Sequence, residues 1–158
     1  VRQKLVMGHN RIAGEWGHNP LPWPRQDEYP GVTCYCGRSG CIETYLSGPA
    51  LVRDFRNRTT QQWSVQEIAS AAAVGDKEAR NCLGAFEDRL ARSLASVINL
   101  LDPDVIVLAG GLSNIAELYT VLPRLIADYA FSDGVETPIL RALHGDSSGV
   151  RGAARLWP

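Results

Sequence analysis

The strongest hydrophobic pattern in the sequence runs from Asp76 to Leu101. Apolar residues recur there at spacings of three and four, which is typical of a helix that buries one face. The Asp102-Pro103 pair follows, and the residue before a proline is disfavoured in helical backbone. The pattern therefore predicts one long helix over 76–101. Its charged residues are most simply interpreted as a face in contact with water: Lys77, Glu78, Glu87, Asp88, Arg89 and Arg92.

Shorter helices are predicted before and after this one. Ser64, with Glu67 three positions later, has the pattern of a capping box, so a helix is expected to begin there. The segment 115–129 is helical in pattern but contains Pro123, a residue that can divide a helix in two. The remaining predicted helices cover 41–46, 48–56 and 149–156.

Two segments have the pattern of β-strands. The segment 104–109 contains the run V-I-V-L without alternation, which is typical of a strand covered on both faces. The segment 138–143 predicts a second strand, and the short apolar piece Leu5 to Met7 could close a sheet edge. By contrast, the segment 19–30 carries four prolines and cannot form a regular element.

Composition is that of one domain of ordinary size. The chain has 158 residues, 45% of them hydrophobic, which is enough to bury a core. The net charge of −1 favours neither nucleic acid nor an anionic membrane as a partner. No apolar run is long enough to span a bilayer. The sequence also lacks a charged start followed by a hydrophobic segment, so no export signal is expected. The first residue is Val1, which fits a fragment.

Three clustered cysteines and one histidine form the candidate chemistry of the chain. Cys34, Cys36 and Cys41 follow His18 within one stretch of the sequence. Thiolate sulfur and imidazole nitrogen suit zinc, and four such ligands make a closed structural site. The sequence therefore predicts a structural zinc site in a loop within residues 15–46. Free cysteines at metal-binding spacing also fit a reducing cytoplasm.

Other interpretations of the cysteines stay open at this point. They could be three reduced, buried thiols beside an unrelated surface histidine. Disulfides are less favoured, because three clustered cysteines leave one unpaired and cysteines two positions apart bridge poorly. The fourth cysteine, Cys82, lies in a helical pattern and is expected in the core.

Two carboxylates flank the predicted zinc loop. Glu15 precedes His18 by three residues, and Glu43 follows Cys41 by two. A metal ion that fixes the loop would also fix both carboxylates in space. The alternative is that Glu15 and Glu43 are ordinary surface residues.

Four strings in the sequence resemble one known family. The strings A-G-E-W-G-H-N-P-L-P-W (13–23) and C-Y-C-G-R-S-G-C-I-E-T (34–44) are similar to the signature of the ROK family of bacterial sugar kinases and repressors. Two later strings match the same group, D-P-D-V-I-V-L-A-G-G-L-S-N (102–114) and H-G-D-S-S-G-V-R-G-A-A (144–154). Within the first string, N-P-L-P-W is most similar to the fructokinase branch. The resemblance covers nearly the whole chain, but only about the second half of a complete family member.

The resemblance implies both a fold and a function. The fold would be α/β, a ribonuclease H-like domain of the actin and hexokinase ATPase type with a zinc-binding loop insertion. Residues 1–158 would form the C-terminal domain, and the N-terminal domain would be absent from this chain. The function would be that of an ATP-dependent hexose kinase with structural zinc and with Mg²⁺ on the phosphates. Fructose is the preferred sugar, giving fructose 6-phosphate and ADP, with glucose, mannose and N-acetylated hexosamines as further candidates. A cytoplasmic homodimer is expected.

The resemblance also implies roles for individual residues. Glu15 and Glu43 would accept hydrogen bonds from sugar hydroxyls. His18 would bind zinc with one ring nitrogen and face the sugar with the other. The string that resembles the adenosine-side motif follows the first predicted strand and would contact the nucleotide through Gly110, Gly111, Leu112, Ser113 and Asn114.

The catalytic base cannot be assigned to any residue of this chain. In kinases of this group the base resembles an aspartate in an Asn-Asp motif of the N-terminal domain, and that motif is not in these residues. The Gly-Thr-Gly phosphate loop is also not present. The 158 residues alone are therefore expected to be inactive.

Two other functions are compatible with the sequence. A transcriptional repressor of the same family would keep the sugar and zinc motifs and add an N-terminal DNA-binding helix-turn-helix. A zinc-stabilised interaction module would have no sugar role. The complete protein would then show no sugar binding, and Glu15→Gln would have no effect.

Overall fold

The computed structural model describes residues 5–155, which form helices, two short strands and several 3-10 turns. The α-helices are α1 (Gly48–Thr59), α2 (Val65–Ala73), α3 (Lys77–Leu101), α4 (Leu118–Ala127) and α5 (Ser148–Ala154). The strands are β1 (Ile106–Leu108) and β2 (Ile139–Arg141). The 3-10 turns are Glu15–His18, Gln26–Glu28, Ile42–Thr44, Gly111–Asn114 and Gly145–Ser147.

Helix α3 is the centre of the fold, as its hydrophobic pattern predicts. The Asp76 side chain caps its start by accepting a hydrogen bond of 2.8 Å from the Ala79 backbone amide. The helix ends at Asp102, which has a left-handed backbone with φ of 42°. Helices α1, α2 and α4 pack around it. The buried residues that α3 contributes to the core include Leu83, Phe86, Leu90, Leu94 and Ile98.

The shorter helices agree with the sequence pattern in most respects. The capping box before α2 is present, because Ser64 and Glu67 exchange backbone and side-chain hydrogen bonds. Pro123 does not divide α4, which is held against the core by its buried face. The prediction of a helix over 41–46 is wrong, because the structure has only the 3-10 turn Ile42–Thr44 there. The predicted end of the last helix, at 156, lies outside the described residues. No helix within residues 5–155 combines the length and the apolar content that crossing a bilayer requires.

The two predicted strands form a parallel pair, in register from Ile106 opposite Ile139. Both strands are shorter than the sequence predicts. Val107 and Leu140 are 54% and 51% exposed, whereas Ile139 is buried against the helices. The prediction that the first strand is covered on both faces is therefore wrong for the described residues. Leu5 to Met7 form no strand and are exposed.

Buried charges on α3 are the main departure from the sequence prediction. Arg92 is 1% exposed, and Arg89 and Glu87 are also buried, so these residues do not form a face in contact with water. Glu87 has no hydrogen-bond partner for its Oε1 atom within the described residues. Burial, reinforced by nearby Glu117, raises the pKa of Glu87 to about 7.

Arg89 and Arg92 bind the proline-rich segment 19–30 to the core. The Glu28 carboxylate is buried and accepts hydrogen bonds from Arg89 at 2.8 Å and from Arg92 at 2.7 and 2.9 Å. Arg92 also donates to the carbonyl oxygens of Pro22 and Trp23 at 2.9 and 2.7 Å. The segment contains only the short turn Gln26–Glu28 but is fixed to the core, because its carboxylate and carbonyl groups bind two buried guanidinium groups. Asp54 and Asp88 supply the other carboxylate partners of Arg89 and Arg92.

The same hydrogen bonds set the ionisation of Glu28. Burial acts to raise its pKa, but hydrogen bonds from the two guanidinium groups and from the Arg25 backbone amide outweigh burial and lower the pKa to about 2. The group is therefore ionised in the folded chain at neutral pH.

Replacing Glu28 tests this network. Glu28→Gln is expected to lower the free energy of unfolding at pH 7 by about 1.5–3 kcal/mol, because it removes a charged acceptor from two buried guanidinium groups that keep Asp54 and Asp88 as partners. The unmodified chain should lose the contribution of Glu28 as the pH falls from 4.5 toward 2, since the unfolded carboxylate takes up its proton first. The variant should not show that loss. Urea unfolding monitored by tryptophan fluorescence measures both effects.

Asp27→Asn is the matched control for this experiment, because Asp27 is the exposed acidic neighbour in the same turn. A control variant as unstable as Glu28→Gln would contradict the account, as would a Glu28→Gln variant as stable as the unmodified chain.

Candidate functional site

His18, Cys34, Cys36 and Cys41 lie together in the structure. One donor atom from each lies within 4.8 Å of the donor atoms of the other three. The Cys34 Sγ is 3.6 Å from His18 Nδ1, and the Cys36 and Cys41 Sγ atoms are also 3.6 Å apart. Cys34 and Cys41 are buried, whereas Cys36 is exposed. We call these four residues the donor cluster.

The spacing of the donor cluster fits a tetrahedral zinc ion. With Zn–S distances of about 2.3 Å and Zn–N distances of about 2.0 Å, neighbouring ligand atoms of a tetrahedron lie about 3.5 to 3.8 Å apart. The two measured separations of 3.6 Å agree with that geometry. Four protein ligands would leave no position for water or substrate, so the cluster suits a structural ion. Cys82 lies apart from it, buried in α3, as the sequence predicts.

Backbone hydrogen bonds shape the loop that carries the thiols. The Cys34 amide donates to the Arg38 carbonyl at 2.7 Å, and the Gly37 amide donates to the Cys34 carbonyl at 2.9 Å. Gly37 has a φ of 86°, a backbone conformation that residues other than glycine rarely adopt. The tight turn this creates brings Cys34 and Cys36 to the same side of the loop as Cys41.

The loop is also held to the segments on either side of it. The Leu21 amide donates to the Gly40 carbonyl at 2.9 Å, and the Ile42 amide donates to the Asn19 carbonyl at 2.9 Å. Gly31 passes so close to Gly40 that a Cβ atom on Gly31 would lie 2.6 Å from the Gly40 Cα. These contacts place the turn Glu15–His18 beside the thiols, although about 20 residues separate them in sequence.

The thiols differ in their tendency to ionise. A hydrogen bond from the Arg38 backbone amide lowers the pKa of Cys36 to about 7. Burial raises the pKa of Cys41 to about 12. Thiolates are the form that binds metals, so metal binding at the buried thiol would be coupled to proton release.

The predicted sugar-binding residues lie around the donor cluster. Glu15 Oε2 is 3.7 Å from His18 Nε2, the ring nitrogen that does not face Cys34. Cys34 Sγ donates a hydrogen bond of 3.4 Å to Glu43 Oε1. Both carboxylates are therefore close to the cluster, as the sequence predicts, but they take different positions around it.

A cavity of about 700 Å³ opens beside the turn Glu15–His18. One wall is polar and includes Glu15 and His18, and the other is apolar and comes largely from the last turns of α3. Glu43 is not among the lining residues. Sequence reasoning did not identify two further polar residues that line the cavity, Asn19 and Arg38.

Tyr35 is a third residue near the site that sequence reasoning did not identify. Its hydroxyl lies 2.8 Å from His18 Nε2, and the two rings meet edge to face with centroids 5.0 Å apart. The position of Tyr35 between two cysteines of the donor cluster was visible in the sequence, but the direction of its side chain was not.

The tryptophans near the cluster have separate roles. Trp16 lines the cavity and packs against the core, and its indole Nε1 is buried without a hydrogen-bond partner within the described residues. Trp23 stacks on Tyr129, with ring centroids 5.9 Å apart.

The predicted nucleotide-binding residues follow the carboxyl end of β1. Gly110 has a φ of 82°, and the 3-10 turn Gly111–Asn114 comes directly after it. The Ser113 hydroxyl donates to the Gly110 carbonyl at 2.7 Å, and Arg141 donates to the Asn114 side chain. A second cavity, of about 290 Å³, is lined by Gly110, Gly111 and Leu112 together with residues near the starts of α1 and α2. The carboxyl ends of parallel strands are common ligand sites, and the nucleotide role stays a prediction here.

The sequence matches one family model over its full length. Residues 1–158 match the model described as the ROK family. An N-acetyl-D-glucosamine kinase from Pectobacterium carotovorum is 39% identical over 160 residues, which cover 99% of this chain and 53% of that protein. The chain spans about half the length of the curated relatives it matches.

Solved structures of ROK proteins have the same fold. A ROK family glucokinase from Streptomyces griseus in complex with glucose and AMPPNP has a TM-score of 0.81 and 28% identity, over 97% of this chain and 54% of that chain. The ROK hexokinase from Thermus thermophilus has a TM-score of 0.79 and 29% identity, over 96% of this chain and 49% of that chain. These likenesses agree with the predicted α/β fold of the actin and hexokinase ATPase type.

Replacing one cysteine tests the donor cluster. Cys36→Ser is expected to abolish stoichiometric zinc binding and to loosen residues 15–46, because structural zinc can contribute on the order of 10 kcal/mol to folding its motif. Inductively coupled plasma mass spectrometry measures the zinc content, and hydrogen exchange measures the loosening.

Cys82→Ala provides the control, since it removes a thiol outside the cluster. This variant should keep one zinc ion per chain. Equal zinc contents in the Cys36→Ser variant and the unmodified chain would contradict the assignment.

Proposed function

Because the chain belongs to the ROK family, we propose that the protein containing it is an ATP-dependent hexose kinase. The observation that carries this proposal is the position of Glu15 and His18 on the wall of one cavity, directly beside the donor cluster. An ionised carboxylate and an imidazole at fixed positions suit a sugar, because each sugar hydroxyl both donates and accepts hydrogen bonds.

Zinc has a structural role in this proposal. The donor cluster would hold it through His18 Nδ1 and the three sulfur atoms. The proton of the imidazole then lies on Nε2, and this N–H group can donate to a sugar oxygen. Glu15, 3.7 Å from Nε2, is placed to accept a hydrogen bond from a hydroxyl of the same sugar. Zinc binding would deprotonate Cys34, which then no longer donates to Glu43, so the Glu43 carboxylate would be available to accept a hydrogen bond from a sugar hydroxyl.

The comparisons favour a sugar other than the one that the sequence motif suggested. The fructose preference rested on the string N-P-L-P-W, whereas the curated relative described above is an N-acetyl-D-glucosamine kinase. We therefore propose N-acetyl-D-glucosamine as the first candidate substrate, with glucose and fructose as the competing hexoses to test.

The second substrate would be ATP, with Mg²⁺ on its phosphates. Gly110, Gly111, Leu112, Ser113 and Asn114 form the proposed contact with the adenosine side of the nucleotide. Support comes from their position at the carboxyl end of β1 and from the adjoining cavity. Phosphoryl transfer also needs a general base near the acceptor hydroxyl, and no residue of this chain is assigned that role.

The kinase is favoured over the two alternative functions. The relatives named above are kinases, which supports an enzyme rather than a repressor. An interaction module without a sugar role would not require an acidic residue and an imidazole on one cavity wall.

Substrate choice and the role of Glu15 can be tested together in the full-length protein. N-acetyl-D-glucosamine is expected to give the highest kcat/KM among the three hexoses in a coupled assay of ADP release. Glu15→Gln should lower kcat/KM by about 10- to 100-fold, because it replaces a charged hydrogen-bond acceptor with a neutral one. Glu136→Gln, a change at an exposed glutamate outside the cavity, should leave it unchanged.

Two results would contradict these assignments. A higher kcat/KM for fructose than for N-acetyl-D-glucosamine would overturn the substrate assignment. Equal activities of the Glu15→Gln and Glu136→Gln variants would overturn the role of Glu15.

The 158-residue chain by itself should have no kinase activity. The motifs that resemble the catalytic base and the phosphate loop of this family are not present in its sequence. The measurement is ATP-dependent phosphorylation of each hexose by the purified chain, with the full-length protein as the positive control. Turnover by the chain alone, in preparations free of other kinases, would refute this expectation.

A further inference from the structure

Tyr35 contacts His18, which lines the cavity of the proposed sugar site, although Tyr35 itself is not among the lining residues. The Tyr35 hydroxyl is 2.8 Å from His18 Nε2, within hydrogen-bond distance. Tyr35 is 84% exposed, although the cysteine that precedes it is buried. A large, exposed aromatic side chain therefore contacts the His18 ring nitrogen that does not face the Cys34 sulfur.

The direction of this hydrogen bond follows from the position of the imidazole. Nδ1 lies 3.6 Å from Cys34 Sγ and is the nitrogen that a metal in the cluster would bind. Nε2 then carries the proton, so it donates and the Tyr35 oxygen accepts. A sugar oxygen bound to His18 would use the same proton. Because one N–H group makes one strong hydrogen bond, the tyrosine and the sugar compete for it.

Moving Tyr35 away requires little rearrangement. Its backbone is held between Cys34 and Cys36, so the side chain moves by rotation alone. The ring is already largely exposed, so rotation removes little apolar surface from its contacts. Glu15, 3.7 Å from Nε2, belongs to the same turn as His18 rather than to the loop that carries Tyr35.

We propose that Tyr35 is a gate of the sugar site. Its hydroxyl occupies His18 Nε2 when no sugar is bound and leaves that position when a sugar oxygen replaces it. The gate lowers sugar affinity, because each binding event first breaks the bond between Tyr35 and His18. It also favours ligands that present an oxygen to Nε2, since other ligands do not replace the lost bond. This inference rests on the proposed function, because it takes a hexose as the ligand of His18.

Tyr35→Phe in the full-length protein tests the gate. The variant keeps the ring and removes the competing hydroxyl, so the Kd and the KM for N-acetyl-D-glucosamine should each fall by about 3- to 10-fold. The kcat, the KM for ATP and the zinc content should not change. Calorimetry measures the Kd, and the coupled assay separates KM from kcat. Tyr29→Phe, at an exposed tyrosine whose hydroxyl is not hydrogen-bonded to His18, is the matched control and should have no effect.

Each other outcome overturns the gate. An unchanged Kd means that the hydroxyl does not compete with the sugar, and a raised Kd means that it supports the bound sugar instead. Loss of zinc from the Tyr35→Phe variant would show that Tyr35 stabilises the metal-binding loop rather than acting as a gate. If the unmodified protein binds none of the three hexoses, the proposed function fails together with the gate. If it binds one and Tyr35→Phe changes nothing, only the gate fails.

Discussion

The convergence of one imidazole and three thiols determines the geometry of the candidate site. His18 comes from one turn and the cysteines come from a loop that begins about 15 residues later, yet their donor atoms lie within 4.8 Å of one another. This convergence sets the direction of the His18 ring and places Glu15 and Glu43 near it. A metal ion at this position would fix the site because its ligands belong to separate segments of the chain.

A second interaction attaches the site to the core. The segment 19–30 leads from His18 to the thiol loop, and the buried Glu28 carboxylate binds it to Arg89 and Arg92 of α3. Helix α3 also provides the apolar wall of the 700 Å³ cavity. One helix thus supports the turn, the loop and the cavity wall, so a change in the packing of α3 would alter the geometry of the site.

Elements and ligands that depend on local sequence were predictable, and features that depend on distant partners were not. Periodicity identified α3, the capping box of Ser64 and Glu67 located the start of α2, and residue type identified the donor cluster. Arg92 was misjudged because its partner Glu28 is 64 residues away. The string N-P-L-P-W gave little information on the sugar, because Leu21 is buried and Trp23 stacks on Tyr129, while only Asn19 of the string lines the cavity.

The central claim is that a metal in the donor cluster holds the residues that bind the sugar. The most direct measurement is calorimetry of N-acetyl-D-glucosamine binding to the full-length protein before chelation, after chelation and after zinc is restored, with the metal content determined each time. The account predicts that binding disappears with the metal and returns with it. Unchanged affinity in protein shown to be free of metal would contradict it.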